Sequence, residues 1–305
     1  AGKGLKSNNS VIIFDEVQLC PMARQAIKHL VKDHRYDYIE TGSLISIQKN
    51  IKDILIPSEE RKMSMFPMDF EEFLWATGDT TTSKLLTSVF EKQTSLGDAV
   101  HRKLMRDFRL YMLVGGMPQA VEAYIETNNF RKVDEVKRDI LKLYEDDFRK
   151  IDTSGRISML FDAIPAQLNT NASRYQVSGV LSGERADTVL ELISDMVDSR
   201  TVQIAYHAND PNVGLANAKD LRRFKLFLAD TGLLTTLIFK DKDNFHYKFP
   251  LKAASSIDLC LSARILCKLR PKWHPHCLHY FQFPWSIAAP FPPHHRPTAA
   301  PASTM

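Results

Sequence analysis

Two acids closing an apolar run, Val11-Ile12-Ile13-Phe14-Asp15-Glu16, are the residues of this chain best suited to chemistry. At a strand end, the first carboxylate can hold Mg²⁺ through its water shell, and the second can orient or polarise an attacking water. Thr41-Gly42-Ser43 closes a second short segment, where a hydroxyl could bond a γ-phosphate or that water. The other reading of Thr41 and Ser43 is ordinary turn or N-cap chemistry. Gly115-Gly116 could cradle a phosphate, but without a flanking strand and helix the pair reads as a turn. His274, His276, Cys277 and His279 invite a metal reading. Pro271 and Pro275 leave no helix or hairpin to fix them, so the cluster reads as compositional.

The elements that must position these groups follow from the local pattern. A continuous apolar run suits a central parallel strand covered on both faces, with its acids in the crevice where open α/β sheets bind ligands. Pro21 suits a first helical turn, and Ala23, Ala26, Ile27, Leu30 and Val31 form one apolar face. Tyr36–Glu40 reads as a second strand, completing a right-handed βαβ unit. Arg61–Leu74 suggests a short strand near 62–66, a turn at Pro67, and a helix with acids in its first turn.

Residues 80–110 look helical, and a helix follows the glycine pair to about Ile125. Another spans Arg131 to Ile151, carrying Val133, Val136, Ile140, Leu143, Tyr144 and Phe148 inward, with Asp146 and Asp147 facing solvent. Beyond it, helices over 157–169, 173–180 and 184–198 precede strands near 201–206 and 224–229, a winged-helix outline. The helix in the recognition position carries Glu184, Asp187, Glu191, Asp195 and Asp198 against Arg185 alone. Reading DNA needs Arg or Lys, so this module is expected to contact protein or its own chain. Asp230 reads as a turn-forming acid before Gly232.

Together these residues resemble a known family. Val11–Pro21, Glu40–Leu44, Phe66–Leu74, Tyr111–Val121, Leu143–Asp147 and Lys225–Leu234 are similar, in order, to segments of bacterial and archaeal AAA-type ATPases that carry a DUF4143 domain. The resemblance covers roughly residues 5–240. It implies ATP and Mg²⁺ as cofactors, a Walker B strand with Asp15 as the metal acid, Glu16 as the water-activating acid, and Thr41 or Ser43 as the sensor. Arg61 falls where the family has an arginine before its last core strand; its alternative is a solvated charge beside Lys62.

One motif of that family does not occur. No Gly-x-x-x-x-Gly-Lys-Ser/Thr is present, and in Gly2-Lys3-Gly4-Leu5-Lys6-Ser7 a leucine stands where glycine is needed. The family's C-terminal nuclease-like acids are also missing. The expected fold is therefore α/β, a partial P-loop NTPase sheet of AAA type lacking the Walker A strand, followed by a helical and winged-helix-like region. Boundaries are expected at 1–78, 79–155, 156–250 and 251–305. The expected function is a fragment of an ATP-binding protein, with ATP hydrolysis as its ancestral activity but inactive as given. The alternative is a non-enzymatic interaction module binding protein or DNA. An unidentified protein or a second copy of the chain is the expected partner.

Composition sets outer limits. Of 305 residues, 44% are hydrophobic and 25% charged, ordinary globular values. No apolar run reaches membrane-spanning length. Four cysteines without paired spacing suit a reducing, cytoplasmic compartment. The net charge of +4 is carried by residues 252–305, whose six cations face only Asp258. That proline-dense end, with eight of the 15 prolines from Pro271 on, is expected to be disordered.

Overall fold

The structure is a computed structural model that describes residues 4–7, 9–42, 61, 63, 65–169, 174–209 and 219–240. Ser43 and the His274–His279 cluster lie outside the described residues, as does the proline-rich end.

Strand β1 (Val11–Phe14) leads through a 3₁₀ turn (Val17–Leu19) into α1 (Pro21–Lys32) and then β2 (Asp37–Glu40). Pro21 opens α1, where its missing N–H costs nothing. The strands pair in parallel, Ile12 opposite Tyr38 and Phe14 opposite Glu40. The expected βαβ order is present. The expected burial on both faces is not, because α1 covers only one. Val11 and Ile13 are 51% and 61% exposed, while Ile12 and Phe14 are half-buried. The described residues of 61–69 form no strand, which corrects the expectation near 62–66.

Helix α2 (Phe70–Ala76) starts with a capping box. Asp69 accepts the Glu72 amide at 2.9 Å, and Glu72 accepts the Asp69 amide at 2.8 Å. Helices α3 (Thr82–Lys92), α4 (Asp98–Val114), α5 (Pro118–Thr127) and α6 (Phe130–Ile151) follow. Phe73, Tyr111, Met112, Val114, Val121 and Val133 join α2, α4, α5 and α6 in one apolar cluster. On α6 the inward stripe is Val133, Lys137, Ile140, Leu141 and Phe148. Leu143, read as inward, is 62% exposed, because the stripe passes through Leu141 and Tyr144 instead.

The expected helix over 157–169 is two helices, α7 (Arg156–Asp162) and α8 (Ile164–Asn169). Pro165 has no N–H for a carbonyl one turn earlier, so the chain breaks at Ala163. A 3₁₀ turn (Val177–Gly179) stands where a short helix was expected, and α9 spans Ala186–Asp198. Strands β3 (Val202–Ala208) and β4 (Lys219–Leu228) form an antiparallel pair. Helix α10 (Thr231–Ile238) then turns back against α4 and α6 and is buried through most of its length. A larger core joins α6–α9, both strands of the pair, and α10.

Candidate functional site

The tips of β1 and β2 meet because the strands are parallel and in register, so both carboxyl ends emerge together. Asp15, Glu16 and Thr41 are all exposed there. The Thr41 amide donates to the Phe14 carbonyl at 2.9 Å, and the Thr41 carbonyl accepts the Val17 amide at 2.9 Å. With its backbone held on both sides, the Thr41 hydroxyl is directed at the acids. It donates to Asp15 Oδ1 and accepts the Glu16 amide at 3.1 Å. One hydroxyl thus fixes the carboxylate of the first acid and the backbone of the second.

Glu16 adopts a left-handed conformation, φ 49° and ψ 49°. A non-glycine residue is uncommon there, and such backbone persists where neighbouring contacts impose it. Here the turn is held by Thr41 and by the Leu19 amide, which donates to the Glu16 carbonyl at 2.9 Å. Arg61 is exposed, and no described contact brings it to the acids. The structure therefore joins Asp15, Glu16 and Thr41 and leaves Arg61 apart.

Hard oxygen donors of this kind suit Mg²⁺, which is commonly held by one or two carboxylates with its remaining positions left to water and phosphate. The Asp15 carboxylate, oriented through one oxygen, fits that role. Among the described residues no group of three or more His, Cys, Asp or Glu side chains could enclose an ion. Among the described residues the phosphate half of a nucleotide site finds no such fit. The glycine pair that could have cradled an anion is filled from within the chain. Gly116 donates its amide to Asp230 Oδ2 at 2.6 Å, and Asp230 Oδ1 also accepts the Leu233 amide at 2.8 Å.

Asp230 is thus the N-cap of α10, 1% exposed, and corrects the turn reading. The signal was available: an aspartate directly before a Thr-Gly-Leu-Leu-Thr-Thr-Leu-Ile run. Packing here is tight. A Cβ on Gly116 would run into the Met68 carbonyl, and one on Gly232 into the Val114 carbonyl.

Lys137 lies beside this junction, 2% exposed, and donates to the Leu113 carbonyl at 2.8 Å. Burial lowers its pKa to about 8, although Asp134 and Asp230 pull the other way. It sits four residues after Val133 and three before Ile140, on the buried stripe. Both residues hold helices together and face away from solvent.

Parallel strand tips carrying an acid pair and a hydroxyl suit metal and phosphate handling at the end of an open α/β sheet. The family model described as an AAA domain matches residues 2–74. A second, described as a domain of unknown function, DUF8612, matches residues 105–244. The N-terminal segment is therefore AAA-like and of the nucleotide-binding class. Over the helical body the matching model is DUF8612, where the sequence resemblance points to DUF4143. No curated protein matches the chain.

Proposed function

We propose that residues 2–74 supply the metal- and water-handling half of an ATP site. The observation that carries this reading is the Thr41 hydroxyl bridging Asp15 and the Glu16 amide across neighbouring strand tips. In this reading Asp15 holds Mg²⁺, which when bound would neutralise charge on the phosphates. Thr41 orients the Asp15 carboxylate. Glu16 accepts a proton from water at its exposed carboxylate, its backbone fixed by the left-handed turn. Ser43 and Arg61 remain candidates for phosphate contact on the resemblance alone.

Without a phosphate-binding loop, the 305 residues by themselves are expected to release phosphate from Mg-ATP no faster than a Glu16→Gln variant. Release well above that control would contradict this. Joined to a strand and a Gly-x-x-x-x-Gly-Lys-Ser/Thr segment ahead of Ala1, the chain should hydrolyse ATP. Glu16→Gln in that chain should abolish turnover and keep nucleotide binding. Undiminished turnover in the Glu16→Gln variant would contradict the reading.

A further inference from the structure

The pairing of β3 with β4 is regular from Val202↔Leu228 to Tyr206↔Phe224 and then jumps, His207 pairing with Asp220 and Ala208 with Lys219. Leu221, Arg222 and Arg223 consequently have no residue opposite them on β3, and the ladder bulges. Asp220 builds the bulge, its Oδ1 accepting the Arg222 amide at 2.9 Å, the local turn an aspartate makes two residues ahead. The one acid of the segment thereby helps to shape it. Leu221 is 54% exposed, and both arginines are exposed. Lys219 lies over the Tyr206 ring, 3.7 Å from its centre, and Lys225 follows on the same strand.

Arg222 and Arg223 differ from the cations of α6, where Lys132, Arg138, Lys142, Arg149 and Lys150 are tied to acids within one turn. Among the described residues no ion pair ties Arg222 or Arg223. A guanidinium is a planar fork matched to phosphate or carboxylate and sheds its hydration readily. Two of them on a bulge, flanked by two lysines, leave strong donors unused. The surroundings choose between an acidic protein and a nucleic acid. Protein interfaces need a buried apolar or aromatic centre, and the bulge offers only Leu221. Nucleic-acid interfaces are polar and strongly positive.

The neighbouring helix limits the mode of contact. α9 packs against β3 and exposes Asp187, Glu191 and Asp195, so it repels a polyanion and cannot enter a groove. We propose that the bulged hairpin binds the phosphate backbone of nucleic acid, without reading sequence, through Arg222 and Arg223 with Lys219 and Lys225 beside them. This stands apart from the ATP-site reading and shares no residue with it.

Fluorescence anisotropy of the full chain with a short labelled DNA duplex of random sequence tests the proposal. Binding should weaken with salt, log K falling against log salt with a slope of about −2 to −4, as expected for two to four phosphates. Arg222→Glu with Arg223→Glu should cost at least about tenfold and flatten the slope by about 2. Arg222→Lys with Arg223→Lys, which keeps the charge that backbone binding counts, should keep the salt slope and lose less than the reversal does. Lys142→Glu with Arg149→Glu makes the same change in net charge on α6 and should leave binding unchanged. Arg222→Ala and Arg223→Ala, singly, should each weaken binding, so the proposal remains testable if the double reversal misfolds. Unaltered binding by the Arg222/Arg223 reversal, or equal loss in the α6 control, would overturn it. So would efficient competition by a poly-glutamate peptide at matched charge, which would point to an acidic protein instead.

Discussion

At the scale of single residues, the acid pair and its hydroxyl were legible, because an apolar run ending in two carboxylates and a strand ending in Thr41 are both local patterns. Lys137 was not read. Its burial depends on which helix lies across α6, and that is set by residues far away at Asp230 and Leu113. Burial also gives it a stability signature. Its pKa is lowered from 10.5 to about 8 in the folded chain. Below pH 8 both folded and unfolded chains carry the proton, so this residue adds no slope. Between about 8 and 10.5 the unfolded chain binds more protons, and stability should rise with pH. The raised pKa of Tyr144, pushed to about 12 chiefly by burial, acts oppositely above 10, so a difference measurement is needed. From pH 8 to 10, the parent should gain on the order of 2 kcal/mol relative to Lys137→Met in denaturant unfolding. Parallel curves for the two proteins would show that Lys137 is not the titrating group.

At the scale of elements, helix starts were the clearest feature. Pro21, Pro118 and the Asp69–Glu72 box all open helices, each through chemistry contained within one turn. Helix ends and the last helix were harder. α7 and α8 divide at Ala163 although the apolar spacing runs through, because one missing N–H at Pro165 outweighs it. α10 was missed because its leucines and threonines are buried all round, which leaves no polar face for a helical period to show. The capping box gives a direct element-scale prediction. Asp69→Ala should destabilise the helical body by about 1 kcal/mol, since the Glu72 amide loses its acceptor. An unchanged denaturation midpoint would mean α2 is held by Phe73 and Leu74 packing alone.

At the scale of the molecule, burial is unequal. Of the residues described from 4 to 42, only Val17 and Ile27 are buried hydrophobics, whereas the helices and the β3–β4 pair share two extensive apolar clusters. Among the described residues this sheet has two strands and one covered face, which is marginal on its own. Amides of Ile12–Phe14 should therefore exchange with solvent far sooner than those of Val114, Phe148 and Ile157. Comparable protection in a verified monomer would contradict that ordering. The same exposed sheet carries the proposed metal site, and paramagnetic Mn²⁺ in place of Mg²⁺ tests it most directly. In NMR spectra of the chain, millimolar Mn²⁺ should broaden the amides of Asp15, Glu16 and Thr41 before any others. Asp15→Asn should remove the effect, and Thr41→Val should weaken it where Thr41→Ser does not. Broadening centred on other acids, or unchanged by Asp15→Asn, would contradict the assignment of Asp15 as the metal-holding carboxylate.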